Sequence, residues 1–268
     1  MLKRATVAMF VVFAMTQPGG AHDYWLQPQR FFLSTSETTA VHLFVGDHFI
    51  SETERPFQVK KTVAFQFISQ NEARDLKATA KDGEKPVCTI APKRTGSHVI
   101  VMERDWSHIE IEAAKFNKYL KHEGLTAILE MRRTAGEDKD VGRERYRRYL
   151  KALIQVGDKS DQTYARKIGH RLEILPRTNP YTSNTGDRIA VSVLFEGKPL
   201  RGARVAAYNR SGDDTKTQEA RTDDQGQVQF MLDRSGHWLI RLVHMQRCEN
   251  VRGFEWESFW AAYSFQLK

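Results

Sequence analysis

Short runs in which apolar and polar residues alternate dominate the chain, and they constrain its fold more than any other feature. Alternation with a period of two places every second side chain on one face of a β-strand. Before residue 111, the runs are Val41–Val45, Val63–Phe67 and Val99–Val101, separated by breakers such as Gly46-Asp47 and Asp82-Gly83. The pattern predicts an N-terminal β-sandwich domain over residues 22–111.

Alternating runs return after residue 170 and predict a second β-sandwich domain over residues 170–268. They are Ile189–Val193, Ala203–Tyr208, Val228–Leu232, Trp238–Leu242 and Phe259–Leu267. Part of this region resembles the carboxypeptidase regulatory-like or transthyretin-like modules, in which a GxPLxGAxV strand pair precedes a DxxG turn. The matching segments here are Gly197–Val205 and Asp223–Gly226.

Between the two domains the apolar spacing lengthens to three and four residues, which is typical of amphipathic helices. The residues with this spacing are Phe116, Tyr119 and Leu120, then Leu125, Ile128 and Leu129, and then Tyr146, Tyr149, Leu150, Leu153 and Ile154. We therefore predict a mainly β protein with a short helical connecting segment of three helices over residues 112–169.

The basic stretch 143–148 could bind nucleic acid. Its tyrosines belong to the apolar stripe, however, so a solvated basic face is favoured and no nucleic-acid partner is expected.

The first 21 residues have the features of a secretory signal peptide. Lys3 and Arg4 precede the apolar run Ala5–Met15, and Gly19-Gly20-Ala21 supplies the small residues of a cleavage site. An uncleaved anchor is the alternative, but the apolar run is much shorter than the roughly 20 residues that cross a bilayer. We expect a periplasmic or secreted mature protein without a transmembrane segment.

The chain has two cysteines, Cys88 and Cys248. They could form a long-range disulfide or stay two separate thiols.

Known enzyme templates are absent from the sequence. It contains no GxSxG elbow, P-loop, HExxH helix or GxGxxG turn. Glu255 and Glu257 are a candidate glycosidase pair, but the two carboxyls of such enzymes usually come from separate elements. We therefore predict no catalytic residues and a protein that is not an enzyme.

The histidines offer a more specific candidate site, which is a metal centre. Cleavage after Ala21 would make His22 the first residue, with a free α-amine beside its own imidazole. These two nitrogens can chelate one metal ion, and one further imidazole would complete a nitrogen plane that suits Cu(II) or Ni(II). We predict His244 as that ligand, because it continues the inward row of Trp238, Ile240 and Leu242, with His42 and His98 as further candidates. A hydrogen-bonded core histidine is the alternative at position 244.

Six separated motifs resemble a family of secreted bacterial proteins of unassigned function, related to the substrate-specific component of nickel uptake. They are His22–Pro28, which matches HD(F/Y)WLxP, Lys115–Leu125, Arg143–Tyr149, Asn179–Tyr181, Val243–Met245 and Trp256–Ala261. In the nickel component the amino terminus is itself a ligand, and only His22 maps onto that role here.

This resemblance implies a periplasmic accessory protein that captures Ni(II), Co(II) or Cu(II), or presents it to a metal-uptake transporter in the inner membrane. Two alternatives stay open. One is a non-catalytic structural or ligand-binding β-sandwich protein, with Trp25 and the segment Trp256–Trp260 packing the junction between its domains. The other is a copper-dependent oxidative enzyme with an N-terminal histidine chelate.

Overall fold

The structure is a computed structural model that describes residues 22–249 and 251–268. The predicted signal peptide lies outside the described residues. The strands are β1 (Asp23–Pro28), β2 (Phe32–Leu33), β3 (Thr39–Asp47), β4 (Ile50–Glu54), β5 (Thr62–Ile68), β6 (Ala73–Asp75), β7 (Cys88–Ile90), β8 (Gly96–Ile111), β9 (Gly142–Val156), β10 (Leu172–Pro176), β11 (Arg188–Phe195), β12 (Lys198–Pro199), β13 (Arg204–Ser211), β14 (Asp214–Arg221), β15 (Gln227–Met231), β16 (Gly236–Arg247) and β17 (Trp256–Leu267). The helices are α1 (Ala113–His122) and α2 (Thr126–Thr134), with 3-10 turns at Val59–Lys61, Thr163–Ala165 and Pro180–Thr182.

A long central sheet organises the fold. Its strand order is β14-β13-β16-β17-β9-β8-β5-β6, and β2 adds to β9. The pairing of β17 with β9 is parallel, from Trp256 opposite Glu144 to Ser264 opposite Ala152. Strand β8 runs antiparallel to β9 along almost its whole length. Strands from all three predicted segments therefore meet in one sheet, and the proposed domain boundaries stay a prediction.

Two smaller sheets lie on opposite faces of the central sheet. The N-terminal sheet has the order β1-β3-β4 with β7 also paired to β3, and the C-terminal sheet has the order β10-β11-β12 with β15 paired to β11. Successive side chains of β9 pack alternately into two different apolar cores. Leu150 and Ile154 pack with the N-terminal sheet, whereas Tyr149 and Leu153 pack with the C-terminal sheet. The protein thus contains two sandwich cores that share one central layer.

Helices α1 and α2 cover the part of the central sheet that the N-terminal sheet leaves open. Phe116 and Leu120 of α1 pack against Trp256 and Trp260 of β17 in a third apolar cluster. Gly142 lies beneath the Phe116 ring, and a Cβ atom at this position would collide with that ring. Close contact between α1 and β9 therefore requires glycine here.

The predicted mainly β fold and the first two helices are confirmed, but the third predicted helix is wrong. Residues 142–156 form β9, in the middle of the central sheet. The reason is burial on both faces: every residue from Tyr149 to Val156 is buried, so the apolar run is nearly continuous. A continuous apolar run matches helical and strand spacing equally well.

Cys88 of β7 and Cys248, which follows β16, are both free thiols, in agreement with the second of the two alternatives. Burial raises the pKa of Cys88 to about 12. Neither described helix is long and apolar enough to span a membrane.

The aromatic residues Trp256, Phe259 and Trp260 are buried, with Trp260 only 6% exposed. We expect Trp260→Ala to lower the free energy of unfolding by about 3–5 kcal/mol, because it opens a large cavity beneath α1. Urea denaturation measures this change. Met131 on α2 is 49% exposed, so Met131→Ala is the control and should change stability by less than about 0.5 kcal/mol. Equal stability of the Trp260 variant and the unaltered protein would contradict the packing role.

Candidate functional site

His22 lies at the start of β1, at the edge of the N-terminal sheet. Its Nε2 atom lies 3.0 Å from Oε2 of Glu52 on β4, and the imidazole is 23% exposed. The contact uses the ring nitrogen farther from the backbone. Nδ1, the nitrogen that closes a chelate ring with an α-amine, has no hydrogen bond to another described residue.

His42 and His98 lie away from His22. His42 pairs with Gln27, which is five residues along the chain from His22, so it lies about 16–17 Å along the sheet at roughly 3.3 Å per residue. Its Nδ1 atom is 2.8 Å from Oε1 of Glu54. His98 is buried in the central sheet and stacks on Phe67 with ring centroids 4.9 Å apart. Burial lowers the pKa of His98, which favours a neutral core imidazole.

His244 lies on the opposite face of the central sheet from β1. It continues the row of Trp238, Ile240 and Leu242 towards the C-terminal sheet, as the alternation predicts, and packs on Phe195 with ring centroids 4.3 Å apart. Burial lowers the pKa of His244 to about 4. The central sheet therefore separates His244 from His22.

The structure thus does not bring the four predicted histidines together. Among residues 22–249 and 251–268, no three His, Cys, Asp or Glu side chains converge as a metal site. The α-amine that cleavage would create at His22 is a further ligand that is not a side chain. Metal binding by these histidines stays a prediction.

Beneath His22 lies a buried ionic network that the sequence analysis did not identify. Arg241 of β16 donates from Nη1 to Oε2 of Glu123 at 2.5 Å and contacts Oδ1 of Asp23 through Nη2 at 2.5 Å. All three side chains are buried, and the guanidinium carbon lies 5.2 Å from the centroid of the Trp260 ring. One arginine therefore joins the start of β1 and the end of α1 to the central sheet.

The two carboxylates of this network have opposite pKa shifts. Burial raises the pKa of Asp23 to about 6, although Arg241 favours the ionised form. Burial also opposes ionisation of Glu123, but the charge of Arg241 and the contact with His122 outweigh it and lower the pKa to about 2. In return, the hydrogen bond with Glu123 raises the pKa of His122. As the pH falls, Asp23 is the carboxylate that is protonated first.

The turn between β3 and β4 lies beside this network. His48 and Phe49 have φ values of 48° and 63°, a left-handed conformation that side chains other than glycine rarely adopt. Phe49 is completely buried and packs on the edge of Trp25, with ring centroids 5.2 Å apart. This packing holds the turn, which places the His48 ring 6.0 Å from that of His122.

A second buried polar cluster lies under α1. Glu144 of β9 accepts hydrogen bonds from Ser258 and from the hydroxyl of Tyr119, and Ser258 also accepts one from the Trp260 indole at 2.9 Å. Burial raises the pKa of Glu144 to about 7, against these hydrogen bonds. Glu144 therefore connects β9, β17 and α1 in a polar contact inside an apolar cluster.

The candidate glycosidase pair is engaged in ion pairs. Glu255 contacts Arg143 at 3.0 Å and Glu257 contacts Arg145 at 2.5 Å. Gln246 also donates to Glu257 at 2.6 Å. The carboxyls thus bind arginines of the neighbouring strand, an arrangement that does not favour the acid and nucleophile roles of a glycosidase.

The sequence gives few indications that Asp23, Glu123 and Arg241 form an ionic network. Asp23 and Glu123 lie inside the motifs His22–Pro28 and Lys115–Leu125, but Arg241 is one charge in an apolar strand. An arginine between Ile240 and Leu242 was the available clue, because a charge inside a core strand requires a buried partner.

Residues 20–246 match the model of a family described as a domain of unknown function (DUF4198). No curated protein matches the chain.

We expect Arg241→Met to lower the free energy of unfolding by about 3–5 kcal/mol at pH 7, since it leaves Glu123 and Asp23 buried without a cation. Chemical denaturation measures the loss. Arg201, exposed in a surface pair with Asp224, is the control, and Arg201→Met should cost less than about 1 kcal/mol. Similar losses for the two variants would mean that the network does not stabilise the fold.

The depressed pKa of Glu123 predicts how stability depends on pH. Its contribution is complete above the unfolded value of 4.5 and is lost as the pH falls towards about 2. The unaltered protein should therefore exceed Glu123→Gln in unfolding free energy at pH 6, and this difference should shrink by roughly 2–4 kcal/mol by pH 2. Urea titrations at several pH values test it. A difference independent of pH would show that Glu123 is not ionised in the folded protein.

Proposed function

The chain belongs to the DUF4198 family, and we propose that this member is an extracytoplasmic metal-binding protein whose site is built on the amino terminus at His22. It would capture Cu(II), Ni(II) or Co(II), or present the ion to an uptake transporter in the inner membrane. The observation that carries the proposal is the contact between His22 Nε2 and Glu52. Histidines that bind metals commonly direct their second ring nitrogen at a carboxylate in this way.

The orientation of the imidazole fits the proposed chelate. Nδ1, the α-amine and the ion would close a six-membered ring, while Glu52 holds Nε2 on the other side of the imidazole. Before cleavage, the nitrogen of residue 22 belongs to the peptide bond with Ala21 and is not an amine. Metal binding would therefore follow maturation, and the chelate would form outside the cytoplasm.

The buried network fixes the residue next to the chelate. Asp23 contacts Arg241 at 2.5 Å, so the start of β1 is tied to the central sheet one residue after His22. A fixed backbone reduces the conformational entropy lost when a terminal residue binds a ligand. The proposed site thus depends on the network for rigidity.

The turn between β3 and β4 would supply a third ligand, because it lies close to His22 in the N-terminal sheet. Asp23 pairs with Gly46, so Asp47 and His48 lie at the same end of the N-terminal sheet as His22. His244, which the sequence pattern favoured, faces the other sandwich core. We therefore propose that His48 supplies the additional imidazole. The experiment below compares the loss of His48 with the loss of His244.

The experiment compares the mature protein beginning at His22 with a variant carrying one extra glycine before it. The extension moves the amine and leaves every side chain in place, so affinity for Cu(II) in a competition titration should fall at least about tenfold, or roughly 1.4 kcal/mol. Glu52→Gln should weaken binding about 10–100-fold, the usual effect of removing such a partner.

Glu54→Gln is the matched control, because Glu54 lies on the same strand and contacts His42 instead. It should leave the affinity unchanged. Loss of affinity in His48→Ala but not in His244→Ala would support the turn as the third ligand. Equal affinity of the extended and mature proteins would refute the site and favour a non-catalytic structural protein.

A further inference from the structure

Two arginines lie side by side on neighbouring strands of the central sheet, and neither forms an ion pair with a carboxylate of the described residues. Arg104 on β8 and Arg148 on β9 are direct cross-strand partners. Like charges in this arrangement destabilise a sheet. Arg104 is 8% exposed, and the nearby Arg148 and Arg55 carry the same charge. Residues 1–21 and 250, outside the described part, contain no Asp or Glu.

Both guanidinium groups have buried nitrogens with no hydrogen-bond partner among the described residues. Arg104 donates from Nη2 to Oε1 of Gln58 at 2.7 Å, but its Nη1 is buried and unpaired. The Nε atom of Arg148 is also buried and unpaired. Burying such donors without an acceptor costs free energy that a bound acceptor would recover.

The arginines on the opposite face of β9 have carboxylate partners, although Nε of Arg147 is also buried without a hydrogen-bond partner among the described residues. Arg143, Arg145 and Arg147 point to the opposite face, and each contacts a carboxylate of a neighbouring strand. On the face of Arg148, the carboxyl of Glu144 is close enough for its pKa to respond to Arg148, but it accepts hydrogen bonds from Ser258 and Tyr119. The chain therefore supplies counterions for one row and not for the other.

Aromatic rings pack against the Arg148 guanidinium. Its central carbon lies 4.1 Å from the Tyr24 centroid, 4.4 Å from that of Tyr146 and 5.5 Å from that of Trp260. The N–H groups of a guanidinium lie along its edge, where they bind carboxylates and phosphates in a planar fork. Strand β8 is irregular directly after Arg104, as strands often are beside binding sites. Tyr24, Tyr146 and Arg148 are only half-buried, which leaves a route to solvent.

We propose that Arg104 and Arg148 form a binding site for an oxyanion, the carboxylate or phosphate group of a small ligand, with Arg55 at its rim. Such a group would compensate the facing charges and accept from Arg104 Nη1 and Arg148 Nε. This site is independent of the metal site proposed above, because it uses neither His22 nor the turn after β3.

The test measures the binding of inorganic phosphate and of succinate to the full mature protein by isothermal titration calorimetry, at constant ionic strength set with NaCl. One of the two anions should bind saturably, which identifies the group recognised, and should raise Tm in proportion to its occupancy. Arg104→Gln should weaken that binding at least about tenfold. Arg104→Lys keeps the charge but removes the fork, and should also weaken it if the glutamine variant does not fold.

Arg143→Gln is the matched control, since it removes a charge from the other face of β9. It should bind the anion as the unaltered protein does. Two results would overturn the proposal: no saturable binding of either anion above the chloride background, or undiminished binding in both Arg104 variants.

Discussion

The contact of Arg241 with two buried carboxylates is the interaction on which the arrangement of the other elements depends. It joins Asp23 at the start of β1 and Glu123 at the end of α1 to β16. A guanidinium is the suitable group, because its planar fork serves two acceptors at once and it stays charged when buried. Burial of these charges is costly, and mutual pairing offsets the cost only while all three groups remain in place. The N-terminal sheet and the helical segment are therefore coupled through one side chain.

Burial of the central sheet on both faces explains where the polar groups can lie. A strand covered on one side alternates apolar and polar residues, whereas one covered on both sides must pair every polar side chain internally. Lys151 shows this requirement. Lys151 of β9 is only 3% exposed, and its Nζ atom donates to Oε1 of Glu173 at 2.6 Å. Glu173 also accepts from two backbone N–H groups of the loop before β10. The pair thus links the central sheet to the C-terminal sheet, as Arg241 links it to the N-terminal one.

The two proposed sites occupy the same face of the central sheet but differ in what the chain provides. At His22, a carboxylate already orients the imidazole, and the missing element is an amine that cleavage would create. At Arg104 and Arg148, the donors are present and the acceptor is missing. Tyr24 connects the two regions, because it follows the His22-Asp23 pair and covers the Arg148 guanidinium. Both proposed sites therefore depend on the first strand, which follows His22 and places Tyr24 against Arg148.

The sequence by itself determined the mainly β class, the turns, the two helices after β8 and the inward row that ends in His244, because each depends on the spacing of apolar residues along one element. It did not determine β9, since an apolar run that is buried on both faces has no period to distinguish strand from helix. Nor did it show that His244 and His22 lie on opposite faces of one sheet, or that Arg241 lies between Asp23 and Glu123. Those relations join residues more than 100 positions apart, and only the pairing of β17 with β9 and the layering of three sheets decide them. Side-chain spacing fixes which face of a strand a residue occupies, while the tertiary structure decides what that face meets.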